Sequence, residues 1–221
     1  MTKVELSILI PSTPDRKNDL SKLLECILSQ EYMRKLDVFD VEGMACWRYW
    51  DLLCPIEVLV FEDAKVMTIG EKREWLYKYA KGTHSIQVDS DDLLAPNAIQ
   101  LILEAIRSNP DVDVISFEEY VNMDGKEYKS NHSATYGGWE GDGNSIFPDG
   151  FHFHRTPFFK DVIRTELAKS VPVSFCRFGE DHIFANDLHP KIQSEIHISE
   201  QLYRYIHISS NYTERYGFNK D

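Results

Sequence analysis

Three carboxylates fall within four residues at Asp89, Asp91 and Asp92, in the run SIQVDSDD (Ser85 to Asp92), directly after a strand-like stretch. Like charges packed at the tip of a buried strand repel, so a cation or solvent must compensate them. Hard oxygen donors favour Mg²⁺ or Mn²⁺. An ion held by one or two carboxylates completes its shell with water and substrate phosphates. The cluster therefore points to a metal–diphosphate site. The plainer reading is an acidic loop in solvent, with Asp92 serving the amides of the next helix.

Other residues suit the same chemistry. Arg16 follows the first strand, and Lys72 and Arg73 open the second helix. Cations and free amides at a helix start suit phosphates, although any one of them alone reads equally well as solvated surface charge. Glu62 or Asp63, at the end of the second strand, could accept hydrogen bonds from a base or ribose, or could cap a turn. His152 and His154, in FHFHRTP, share a face if that segment is extended. His154 could complete a metal shell or simply pack. Trp139, in YGGWEGDG, could stack on a sugar or anchor a lid, and His182 could line an acceptor site.

These groups need a frame. Val4 to Ile10, Ile56 to Phe61, Thr83 to Val88 and Val112 to Phe117 read as strands. Pro11 closes the first. Leu20, Leu23, Leu24, Ile27 and Leu28 mark one helix face, Gly70 to Ala80 a second helix, and Pro96 opens a third with Ile99, Ile102, Leu103 and Ile106. The alternation predicts a parallel α/β sheet over roughly residues 1–118, with ligands bound beyond the carboxyl ends of its strands. There the sequence carries PSTPDR, EDAK and DSDD.

Residues 119–221 read as a smaller lobe of the same single domain. Glu31 to Pro55 reads as a long connection. Asn122 to Gly150 reads as loop with a hairpin at Asp124-Gly125. Phe158 to Lys169 and Gly179 to Leu188 read as short helices, and Lys191 to Ile208 as strand.

The chain of 221 residues has 43% hydrophobic residues and a formal charge of -12. That balance disfavours non-specific binding to nucleic acid or anionic membrane. No apolar run approaches the roughly 20 residues of a spanning helix, and the start of the chain lacks a signal-peptide pattern. Cys26, Cys46, Cys54 and Cys176 have no CxxC spacing and read as reduced thiols. A cytoplasmic protein is the expectation.

In order, LSILIPSTPDR, IEVLVFED and IGEKREWLYKYAKGTHSIQVDSDDLLAPNAI resemble a GT-A glycosyltransferase of the family-2 type over most of residues 4–107. FGEDHIFANDL, at Phe178 to Leu188, looks like that family's downstream Glu-Asp motif. The resemblance implies a Rossmann-like GT-A fold, a nucleotide-sugar donor (most often a UDP-sugar) and Mn²⁺ or Mg²⁺. It places Asp91 as main metal ligand and Asp89 near ribose and diphosphate, with Asp92 as a substitute for either. Pro11, Arg16, Asp63 or Glu62, Lys72 and Arg73 fall around the donor. Asp181 takes the role of general base, with Glu180 beside it, and a single direct displacement would invert the anomeric centre. The acceptor hydroxyl, on a glycan, lipid-linked saccharide, protein or modified nucleotide, stays open. The chain departs from the family where the second strand ends: EDAK replaces two Asp followed by Gly-Ser, which leaves the nucleotide open too. A nucleotidyltransferase would want a glycine-rich loop where PSTPDR stands. An inactive binding module would not need all three charged clusters.

Overall fold

The computed structural model describes residues 3–30, 37–41, 44–50 and 55–209, with backbone only for 37–41 and 44–50. Strand β1 (Leu6–Ser12) is buried along its whole length. Its side chains alternate between two cores, as strand geometry requires. Leu6, Ile8 and Ile10 pack beneath α1 (Lys17–Leu28) and α3 (Ala98–Ser108), whereas Leu9 meets the core under α2 (Ile69–Tyr79). Burial on both faces explains why this strand reads as a continuous apolar run.

β1 lies between β4 (Ile56–Glu62) and β5 (His84–Gln87) and is parallel to both, as the alternation predicts. α1 and α2 supply the crossovers. Beyond β5, the short β11 (Val162–Arg164) runs antiparallel to β5 and to β7 (Val114–Met123), so β5 and β7 point the same way. β12 (Glu195–His207) adds parallel to β7 and antiparallel to β6 (Leu93–Leu94). β8 (Lys126–His132), β10 (Phe153–Arg155) and β9 (Trp139–Glu140) continue the same sheet outward. α4 (Thr165–Lys169) and α5 (Glu180–Leu188) cover the α2 face.

The Asp124-Gly125 hairpin forms as read, with both residues at positive φ joining β7 to β8. Three local expectations change. Glu31 to Pro55 is more than a connection, because β2 (Asp37–Val41) and β3 (Met44–Trp50) form a hairpin on the edge of β4. Phe158 to Lys169 is helical only in α4, because the β-branched Val162 and Ile163 pair in β11. Pro11 does not close β1. It lies past Leu9, the last residue that β5 pairs, so only β4 flanks it there and its missing N–H costs little.

Cys26 and Cys176 are free thiols, while Cys54 and the side chain of Cys46 lie outside the described residues. Among the described residues no helix is long and apolar enough to cross a membrane.

Candidate functional site

The parallel strands β1, β4 and β5 end on one edge of the sheet, and their trailing loops carry the charged residues. After β1 the chain turns through a 3₁₀ segment, Pro14–Arg16. Arg16 is only 8% exposed, and its Nη1 lies 2.8 Å from Asp91 Oδ2 and 3.3 Å from Asp19 Oδ2. After β4, Lys65 reaches back to Asp15 at 3.1 Å, tying the second loop to the first.

A capping box starts α2. Thr68 Oγ1 accepts from Glu71 N–H, and the Glu71 carboxylate accepts from Thr68 N–H. That start aims Lys72 and Arg73 inward, where both are nearly fully buried. Lys72 is engaged inside the fold. Its ammonium pairs with Asp63 Oδ1 and donates to the Ser12 carbonyl at 3.2 Å, stapling β1 to β4. Asp63 spends its other oxygen on Met67 N–H at 2.8 Å. Burial would raise the Asp63 carboxyl, but the Lys72 and Met67 donors outweigh it and hold it below the usual range. With both oxygens engaged, Asp63 shapes the turn, and Glu62, half-buried opposite Ser12, is the freer of the pair.

Arg73 is the hub. Nη1 donates to Gln87 Oε1 at 3.0 Å, Nη2 to Asp89 Oδ1 at 2.9 Å and Nε to Glu180 Oε1 at 3.3 Å. The guanidinium lies 3.5 Å from the Phe159 ring centroid, a cation–π contact that also fixes its plane. The end of β5 and the start of α5 therefore meet on one side chain, and Asp181 follows Glu180 in the first turn of α5. Asp181 is half-buried, and its Oδ1 accepts from His182 N–H at 2.9 Å. Burial and the neighbouring Asp181 charge push Glu180 up, with Arg73 opposing.

The three aspartates separate by environment. The Asp89 and Asp91 side chains keep 26% and 32% exposure. Asp92 keeps 1% and has both oxygens engaged: Oδ2 by Lys160 Nζ at 2.9 Å and the Tyr203 hydroxyl at 2.7 Å, Oδ1 by Ile206 N–H at 2.9 Å. Asp92 is therefore a structural carboxylate and no substitute ligand. Burial would raise Asp89, but Arg73, Lys160 and Arg16 overrule it and hold it low. Asp91 goes the other way, because burial and the Asp89 charge exceed the help from Arg16.

Beneath them runs a buried polar chain that the sequence reading did not find. Lys160 Nζ lies 3.8 Å from Glu119 Oε1, Glu119 Oε2 lies 3.4 Å from His132 Nε2, and His132 Nδ1 lies 3.1 Å from Asp161. The available signal was Lys160-Asp161, two adjacent charges set between Phe158-Phe159 and Val162-Ile163.

The donor set fits a substrate-completed divalent ion. Among the described residues no three His, Cys, Asp or Glu form a protein-only cage. Two partly exposed carboxylates at the mouth match an ion that relies on water and phosphate oxygens. His154 is not brought to them. β10 lies four strand steps from β5, roughly 19 Å at about 4.8 Å per step. Its Nε2 is 2.8 Å from Asp149, and its ring stacks between Tyr136 at 4.5 Å and Phe147 at 4.1 Å. Trp139 has both neighbourhoods filled, with His182 at 3.9 Å and Arg155 at 4.6 Å, so it anchors the glycine-rich segment onto α5. A separate open cavity of about 650 Å³ between α2 and α4, lined by Trp75, Lys78, Lys169 and Pro172 among others, involves none of the paired charges above.

No protein-family model matches the chain, and no curated protein does. Solved structures do. S. aureus TarS 1-349 in complex with UDP aligns with a TM-score of 0.57 at 15% identity, over 95% of this chain and 62% of that one. Its complex with UDP-GlcNAc gives 0.56 at 14% identity, over 91% and 58%. The fold is GT-A-like. At this identity the likeness extends to the fold alone. The chain spans about three-fifths of the length of TarS 1-349, and 38% of a longer TarS structure.

Proposed function

We propose that this protein is a glycosyltransferase that moves a sugar from a nucleotide-sugar donor, a UDP-sugar, to an acceptor hydroxyl, with inversion and with Mn²⁺ or Mg²⁺. The observation that carries this reading is the Arg73 hub, which joins the Asp89 end of the acidic cluster to the Glu180-Asp181 pair in one crevice. The UDP and UDP-GlcNAc complexes of TarS, on the same fold, support the choice of donor class.

Asp89 and Asp91 would hold the ion, which when bound supplies Lewis-acid neutralisation of the departing diphosphate. Arg16 and Arg73 add positive charge around the same oxygens and fix the carboxylates in place. Glu62 is the candidate for the nucleoside, since Asp63 is engaged. Asp181 accepts the proton of the acceptor hydroxyl as that oxygen attacks the anomeric carbon. One attack from the face opposite the diphosphate inverts the centre.

The test is calorimetric titration of UDP, GDP and CDP, first with Mn²⁺ and then with EDTA. UDP binding that disappears with EDTA, and disappears in Asp91→Ala, is the expected result. Equal UDP affinity with and without Mn²⁺ would remove the metal from the reading, and no nucleotide binding at all would remove the donor.

A further inference from the structure

The acidic cluster already contains its own cations, and one of them cannot leave. Lys160 lies on the segment between β10 and β11, with a side chain only 7% exposed. Its ammonium is 2.9 Å from Asp92, 3.8 Å from Glu119 and 4.0 Å from Asp89 Oδ2. The Tyr205 and Tyr203 rings lie 3.9 Å and 4.7 Å away. Swinging it out would leave Asp92 and Glu119 as buried, under-compensated carboxylates, which is strongly unfavourable. Tyr203 reinforces the clamp, because its hydroxyl donates to Asp92 and accepts from Asp89 N–H. The ammonium is thus a fixed charge on the buried side of Asp89.

Arg16 on Asp91 and Arg73 on Asp89 place two more cations against the same two carboxylates. A divalent ion arriving alone at Asp89 and Asp91 would meet three resident positive charges. A diphosphate arriving with it reverses that balance, since its oxygens ligate the ion and bring negative charge of their own. Like Arg73, Lys160 is almost fully buried, and its ammonium lies 4.0 Å from Asp89 Oδ2. Its effect on the mouth of the site is purely electrostatic and acts through Asp89.

We propose that Lys160 is a positioning residue whose buried charge makes divalent-ion uptake at Asp89 and Asp91 conditional on a bound nucleoside diphosphate. This rests on the donor-site reading above. In its consequence the protein stays unloaded in the ion alone and loads ion and diphosphate as a unit.

Mn²⁺ uptake read by the electron paramagnetic resonance signal of free Mn²⁺ tests this directly. Titrations with and without UDP are corrected for the Mn²⁺–UDP complex in buffer. For the wild type, UDP should tighten Mn²⁺ binding by about tenfold or more. Lys160→Met should bind Mn²⁺ without UDP, shrinking that ratio to about threefold or less. Lys160→Arg keeps the charge and should keep the ratio. Because Lys160→Met exposes Asp92 to an unbalanced burial, the double variant Lys160→Met, Asp92→Asn removes the buried pair together, and it should show the same shrinkage. Circular dichroism and urea unfolding confirm that the variants compared are folded. A folded Lys160→Met variant, single or paired with Asp92→Asn, that keeps the wild-type ratio overturns the proposal, as does wild-type Mn²⁺ uptake that ignores UDP. No Mn²⁺ uptake even with UDP is a different result, and it overturns the metal reading itself.

Discussion

Arg73 Nε donates to Glu180 Oε1 at 3.3 Å, across 107 positions of sequence. The same guanidinium holds Asp89. Two motifs that are unrelated in the chain are therefore related in space by a single buried cation. Neither carboxylate can shift without releasing a hydrogen bond from a group that has no water to replace it. The proposed donor side and the proposed base side of the crevice are mechanically one piece.

Arg73→Met should show this. Breaking a buried charge network by removing one partner costs about 3–5 kcal/mol. Urea unfolding should register a loss of that size, and UDP affinity should fall about tenfold or more as Asp89 loses its anchor. Arg73→Lys restores the charge without the planar fork, so it should recover stability better than UDP affinity. A stability change below about 1 kcal/mol for Arg73→Met would mean that the network is not what orders the crevice.

The buried His132 gives a pH prediction. Burial disfavours its charged form, but Asp161 and Glu119 on either side outweigh that and raise it to about 9. Since the folded value exceeds the ordinary unfolded value of about 6.5, His132 stabilises the fold fully below that pH. The contribution is lost as pH rises through about 9. Glu119, driven down to about 2 against its burial by His132 and Lys160, contributes above the usual glutamate range and is lost only in strong acid. Unfolding free energy should therefore decline between about pH 6.5 and 9, by on the order of 2 kcal/mol. His132→Gln should flatten that decline. An alkaline limb unchanged in His132→Gln would assign it to other groups.

How far the sequence reveals this site follows from which forces act locally. The parallel β4-β1-β5 nucleus and its helices are legible because burial on both faces writes long apolar runs and strict helical spacing. Asp89, Asp91, Arg16 and Arg73 are legible as charges at strand and helix ends. What each charge does is not. Lys72 and Asp63 pair with each other, an outcome set by the depth of α2 against the sheet rather than by either residue's neighbours. Glu119 and His132 meet across the paired strands β7 and β8, and Lys160 joins them from the distant segment that leads into β11. His154 misled because alternation fixes which face a residue takes, but not how many strands separate it from the site.

Gly70 links α2 to the loop that delivers Glu180 and Asp181. A Cβ at this position would lie 2.0 Å from the Val173 carbonyl oxygen and 3.0 Å from that of Cys176. Both are backbone atoms, so the loop must move. The loop is otherwise held by Glu74 accepting from the Ser174 amide at 2.6 Å and by Thr68 donating to the Ser174 carbonyl at 3.2 Å. Gly70→Ala should cost about 1–3 kcal/mol in unfolding free energy. Turnover should fall more than UDP affinity, because the displaced segment carries the proposed base. Equal losses in both would show that α2 itself had shifted.

Asp181→Asn is the cleanest separation of structure from chemistry. The one hydrogen bond that Asp181 makes to its own helix is as an acceptor, from His182 N–H at 2.9 Å. An asparagine carbonyl accepts that bond equally well, so the start of α5 and the Glu180–Arg73 contact should persist. UDP affinity and the urea midpoint should stay at wild-type values. An amide cannot take the proton of an attacking hydroxyl, so transfer should fall by about 10²- to 10⁴-fold. The assay is UDP release from a UDP-sugar with water as acceptor, which needs no knowledge of the natural one. Wild-type release by Asp181→Asn would move the base to another group. Glu180, already raised by burial and by its neighbour's charge, would then be the residue to replace next.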